Sequence, residues 1–170
     1  MTQREPSLAV EHTSTTDTVR PRRAVYLHPG EMIATRKPTA VKTILGSCIS
    51  VCLWDGEHRV GGMNHFLLPY GAPSADHPGR FGSSAIPLLV AAMLEQGASA
   101  QHMQAKLFGG SSMIAGAVPR ATHVGLQNLR IATEMLGRAR IPVISSDIGG
   151  ARGRKLVFHT DDGSVSLWEL

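Results

Sequence analysis

Apolar residues alternate with polar or small ones through the first half of the chain and switch to helical spacing in two later segments. Ala24 to Leu27 reads as a short strand, turned by His28-Pro29-Gly30. From Thr43 to Trp54 the chain is apolar with small residues. Ile49, Val51 and Leu53 alternate there with Ser50, Cys52 and Trp54, the period of a strand. Asp55-Gly56 marks a turn and Val60 to Leu68 a second strand, so the two are expected as antiparallel neighbours. Residues 69–82 hold Pro, Gly, Asp and His without pattern and read as a long loop. A first helix is expected from Ser84 to Gln96, capped by Ser83 or Ser84, with Pro87 in its first turn and Gly97 at its end. Lys106 to Phe108 is a strand stopped by Gly109-Gly110-Ser111-Ser112. A second helix is expected from Thr122 to Leu136, with Val124, Ile131 and Met135 on one face and Gly137 as its stop. Ile141 to Ile144, Lys155 to His159 and Ser164 to Trp168 complete the strands, with 147–150 and 161–163 as turns. This order predicts an α/β (mixed α+β) fold, a single layered domain with mixed, mostly antiparallel sheets and two main helices.

Composition narrows the picture. A chain of 170 residues with 42% hydrophobic content suits one domain with a real core. Residues 1–22 show no periodicity and are expected to form a disordered tail, leaving 23–170 as the folded domain. No apolar run approaches the ~20 residues of a membrane span, and the N-terminus lacks the apolar core of a signal peptide. A cytoplasmic protein without membrane insertion is therefore expected. The formal charge is +4. Between Arg120 and Lys155 seven basic residues face only Glu134 and Asp147. No nucleic-acid motif accompanies them, and aromatics are only 5%, so an acidic protein surface fits this stretch better than a nucleic acid. The run Arg152-Gly153-Arg154-Lys155 is the natural place for such a contact.

The chemistry centres on Cys48. The two cysteines, Cys48 and Cys52, lie four residues apart. On one strand that is about 13 Å at ~3.3 Å per residue, too far for a disulfide. Free thiols fit a reducing compartment. Cys52, deeper in the strand, reads as a packing residue. Cys48 follows Gly46 and Ser47, small residues that let the backbone turn sharply and leave N–H groups free for an oxyanion. His65, on the next strand, can come face to face with it. A thiol of pKa ~8.5 needs a neighbouring imidazole to take its proton, and the imidazolium can then protonate a departing amine. The same pattern also fits a packed thiol and a buried core histidine, and spacing alone leaves both open. His58, His65 and His77, with Asp55, Glu57 and Asp76, show no metal-ligand spacing, so neither metal nor cofactor is expected. Gly109-Gly110-Ser111-Ser112 lacks the Lys-Ser/Thr ending of a phosphate loop and reads as a tight turn or a close packing contact.

Several separated segments resemble one family in order. Leu45-Gly46-Ser47-Cys48-Ile49-Ser50-Val51-Cys52-Leu53-Trp54-Asp55 resembles the signature of the CheD chemoreceptor glutamine deamidases, and residues 61–69 resemble its histidine segment. Residues 106–110, Asn128, 141–143 and 147–155 resemble further blocks. The resemblance implies a layered α/β fold and hydrolysis of chemoreceptor glutamine side chains to glutamate, with release of ammonia. It implies Cys48 as nucleophile, His65 as general base and acid, and a threonine just upstream as third residue. Thr43 is the nearest match, with Lys42 the alternative if the spacing differs by one. As partners it implies the cytoplasmic helices of chemoreceptors and a CheC-type phosphatase. Receptor methylesterase activity shares the same acyl intermediate and stays open. So does a regulator that binds receptors or the phosphatase without catalysis.

Overall fold

The computed structural model describes residues 22–71, 77–112 and 123–170. The strands are β1 (Arg23–Tyr26), β2 (Met32–Thr35), β3 (Thr39–Leu45), β4 (Ile49–Asp55), β5 (Val60–Asn64), β6 (Met103–Gly109), β7 (Val143–Ile148), β8 (Arg154–His159) and β9 (Val165–Glu169). The helices are α1 (Gly82–Glu95) and α2 (Val124–Arg138). Two mixed sheets form, one ordered β1-β3-β8-β9 and the other β2-β5-β4-β6-β7. Both α1 and α2 pack against the five-stranded sheet.

The burial of β4 explains the layering. Ile49, Val51 and Leu53 join Leu89, Met93, Ile131 and Leu136 in a core shared with the helices. Cys52 points the other way, into a second core with Met63, Phe108, Val41, Leu45, Leu156 and Phe158. Successive strand residues face opposite sides, so a strand buried on both faces must lie in the middle layer. The molecule is thus helices, then a five-stranded sheet, then a four-stranded sheet. Each fully buried Leu, Ile or Phe contributes about 1.5–3 kcal/mol of apolar transfer free energy to this stack.

The apolar segment Thr43 to Trp54 holds the end of β3 and all but the last residue of β4. Gly46-Ser47-Cys48 interrupts it, and the two halves belong to different sheets. The break occurs because the carbonyls of Gly46 and Cys48 leave the strand ladder and accept from Ser111 and Gly110 instead. The second expected strand ends at Asn64, after which only isolated bridges continue, Ile49 with Phe66 and Leu68 with Phe81. β2 carries only a weak pattern in the sequence, being a short, half-buried strand held at the sheet edge by β5. α1 begins at Gly82 with Phe81 as its N-cap residue and no side-chain cap; Ser84 Oγ donates to the carbonyls of Pro78 and Phe81. Gly97, at φ +89°, ends it as expected. α2 runs through Gly137 and closes at Ala139, before Arg140 turns the chain at φ +56°. Its buried face is Gly125, Asn128, Ile131, Ala132 and Leu136, with Val124 outside. β7 extends to Ile148 because it pairs in parallel with β6, which takes Asp147 out of the expected loop. Of the tail expected over residues 1–22, residues 1–21 lie outside the described residues; Arg22 ion-pairs with Asp161 and Asp162.

Candidate active site

Thr43, Cys48 and His65 come from three different pieces of this architecture. Thr43 is on β3 in the four-stranded sheet, Cys48 lies in the crossing to the five-stranded sheet, and His65 follows the end of β5. Along β3 the odd positions are buried and Lys42 and Ile44 are exposed. Thr43 therefore points into the molecule and Lys42 away from it.

The placement of Cys48 and His65 follows from one bridge. Ile49 and Phe66 exchange both backbone hydrogen bonds, at 3.2 and 3.0 Å, and both side chains enter the helix-side core. Their chain neighbours must point to the opposite face. Accordingly, Cys48 packs against the inter-sheet core, and His65 reaches across to β3. On its other side, the His65 backbone is tied to the turn after β1: its N–H donates to the Glu31 carbonyl at 3.0 Å, and its carbonyl accepts from Gly30 at 2.7 Å.

Hydrogen bonding determines the imidazole tautomer. Thr43 Oγ1 donates its single hydrogen to the Leu27 carbonyl at 2.8 Å. Toward His65 Nδ1, 2.9 Å away, the same oxygen can only accept, so Nδ1 carries the proton. Nε2 is then a lone pair, buried and without a hydrogen-bond partner among the described residues. Cys48 Sγ does not yet reach it; such contacts often tighten only when substrate binds. Burial holds His65 down to about 4, against the Leu27 carbonyl, which works to raise it. Burial also pushes the Cys48 thiol above its ordinary range, against its own N–H, which lies near Sγ and works to lower it. At neutral pH the resting pair is thus a thiol and a neutral imidazole. Both shifts work against a thiolate–imidazolium ion pair before substrate binds.

The loop carrying the thiol is clamped from behind. The Gly46 carbonyl accepts from Ser111 at 2.9 Å, that of Ser47 from Asn128 Nδ2 at 3.0 Å, and that of Cys48 from Gly110 at 2.8 Å. Gly109 has φ +107°, and a Cβ there would lie 2.2 Å from the Cys48 carbonyl oxygen. The glycine-rich run is therefore the close-packing contact. Sequence reasoning placed Asn128 only in a family block; its signal was an amide on the apolar face of a helix.

Other sequence candidates fall elsewhere. Cys52 is fully buried and its thiol is raised strongly by burial, which suits packing. Asp55, His58 and His102 offer atoms within 4.8 Å of one another, apart from His65. The Asp55 carboxylate already accepts from Ser99 N–H and from both the N–H and Nδ1 of His58. Those bonds outweigh burial and lower its pKa. Arg154, read as part of a basic patch, is buried, with Nε 2.8 Å from Asp147 and Nη2 2.8 Å from the Gly149 carbonyl. Only Arg152 and Lys155 of that run are exposed.

Fold and site define a three-layered α/β protein whose two sheets meet at a thiol, an imidazole and a hydroxyl. Residues 67–168, which include Asn128 and Arg154, match the model of CheD chemotactic sensory transduction. The chain is 49% identical over 149 residues to a protein of Anaeromyxobacter dehalogenans named probable chemoreceptor glutamine deamidase CheD 1, covering 88% of this chain and 86% of that one. A protein of Albidiferax ferrireducens with the same name is 44% identical over 147 residues, covering 86% of this chain and 62% of the relative. The probable chemoreceptor glutamine deamidase CheD of Sulfurimonas denitrificans is 37% identical over 142 residues, covering 84% and 91%. The chain belongs to the CheD family. No helix among the described residues is long and apolar enough to cross a membrane.

Proposed function

We propose that this protein deamidates glutamine side chains on the cytoplasmic helices of chemoreceptors, with Cys48 as nucleophile and His65 as general base and acid. The observation that carries this reading is the Thr43–His65 hydrogen bond, which leaves an unpartnered Nε2 lone pair on the face shared with Cys48. The names of the relatives supply the substrate class. As the glutamine carboxamide approaches, Nε2 removes the thiol proton and sulfur bonds to the carboxamide carbon. The Cys48 N–H faces the oxyanion. The imidazolium then gives its proton to the amide nitrogen, the C–N bond breaks and ammonia leaves, with a thioester on Cys48. Nε2 next takes a proton from water, which adds to the thioester, and glutamate leaves as the thiol re-forms. Neutral resting partners suit this cycle, since the base is free across neutral pH. A CheC-type phosphatase as a further partner, and the cytoplasm as location, belong to the same reading.

Mass spectrometry of a receptor cytoplasmic domain tests it. Wild-type protein should add about 1 Da at particular glutamines, and Cys48→Ala should add nothing. Thr43→Val keeps the shape but loses the hydroxyl, and should slow conversion about 10- to 100-fold, less than the roughly 10²- to 10⁴-fold that acid–base catalysis contributes in full. Equal conversion by wild type and Cys48→Ala removes the thiol from the mechanism. Loss of receptor methyl esters instead of amides supports the methylesterase alternative.

A further inference from the structure

Asn128 stands out on the buried face of α2. It is fully buried among Ile131, Ala132 and Leu136, yet its side chain is an amide. Both Nδ2 hydrogens are used: one goes to the Ser47 carbonyl at 3.0 Å, the other to the Leu67 carbonyl at 2.8 Å. Ser47 precedes the thiol, and Leu67 lies two residues beyond His65. A single NH₂ group thus spans the two backbone segments whose side chains must meet. Its Oδ1 is buried without a hydrogen-bond partner among the described residues, so the amide is kept at this position at some cost.

The bond to Ser47 has a directional consequence. The Ser47 carbonyl and the Cys48 N–H belong to one planar trans peptide unit and point in opposite directions. Holding that carbonyl toward α2 turns the Cys48 N–H away from α2, to the side where it lies near Sγ. A hydrogen bond accepted by the carbonyl also polarises the N–H of the same unit, making it a better donor. The neighbouring units are held likewise, by Ser111 and Gly110, but among the described residues Asn128 alone grips the unit that contains the Cys48 N–H.

We infer that Asn128 is a positioning residue that aims the Cys48 N–H at the oxyanion formed during deamidation. The inference rests on the deamidase reading above.

The test separates a step that has an oxyanion from one that has none. Glutamine deamidation passes through a tetrahedral oxyanion, whereas alkylation of Cys48 by iodoacetamide displaces iodide without one. Asn128→Ala should lower kcat on the receptor domain about 10- to 100-fold, less than the roughly 10²- to 10³-fold of losing an oxyanion donor outright, since the Cys48 N–H is misaimed and not removed. Its KM should stay within about twofold, and its alkylation rate within about threefold, of wild type at every pH. The inference is overturned if kcat is unchanged in the folded variant, or if turnover and alkylation fall together, which is what a merely collapsed loop gives. A measurement on wild-type protein covers the case where the variant does not fold. A peptide carrying a side-chain aldehyde in place of the glutamine carboxamide forms a thiohemiacetal with Cys48. In NMR spectra the Asn128 side-chain NH₂ should then shift together with the Cys48 N–H, whereas alkylation should leave the Asn128 NH₂ in place. Movement of Cys48 N–H without Asn128 overturns the inference. If wild-type protein converts no receptor glutamine, the deamidase reading itself fails. If it converts them and Asn128→Ala matches it, only the role of Asn128 fails.

Discussion

A threonine hydroxyl has one hydrogen, and at Thr43 that hydrogen is committed to the Leu27 carbonyl. The consequence for His65 is a basic Nε2 whose protonation is suppressed by burial to about 4. The Cys48 thiol is shifted the other way, above its ordinary value. Iodoacetamide alkylation of Cys48 should therefore rise steadily with pH into the alkaline range. A plateau of fast alkylation between about pH 5 and 7 would reveal a resting ion pair and contradict this arrangement, since such pairs hold thiolates down to pKa ~3–4. Much of this residue-level picture was legible beforehand. A thiol after two small residues, a histidine on the following segment and a hydroxyl upstream are visible in the chain, and all three are brought to one face. The protonation state was not legible, because it depends on burial and on the backbone carbonyl of Leu27, just after β1.

At the level of elements, the informative case is the run from Thr43 to Trp54. The small pair Gly46-Ser47 marks a sharp turn and Cys48 the start of a strand, but local pattern does not show that the residues before the turn belong to another sheet. What divides it is non-local: Gly110, Ser111 and Asn128 capture three successive carbonyls from a loop and a helix more than sixty residues further along. Short edge elements such as β2 escape for a related reason, since their order comes from a partner strand rather than from their own residues. The glycine run was readable as a close contact but its partner was not. Gly109→Ala places a Cβ 2.2 Å from the Cys48 carbonyl oxygen at φ +107°. It should cost about 2 kcal/mol or more in urea denaturation, with turnover falling further than the folded fraction does. Unchanged stability and turnover would mean that the loop accommodates the methyl group and that the contact is not critical.

For the whole molecule, the buried imidazole links stability to acidity. His65 titrates near 4 when folded and near 6.5 when unfolded. Between those values the unfolded chain binds more protons, so stability rises with pH there. It is undiminished by this group above about 6.5 and declines as pH falls toward 4, by about 3 kcal/mol in all. Asp55 and Asp162, both lowered in the fold, act only further down, below about pH 3.8. Urea midpoints measured from pH 7 to 4 should fall for wild type and stay flatter for His65→Gln over that window. Parallel curves would show that the acid loss comes from other groups.

The hydrogen bond between Thr43 and His65 runs from one sheet to the other, and this makes activity a gauge of how tightly the sandwich is closed. A loosening of the two layers by an ångström or two leaves every strand ladder intact, yet it frees the ring to rotate and hide its lone pair. On mild acidification or warming, the molecule should fall silent while its far-ultraviolet dichroism is still that of the native fold.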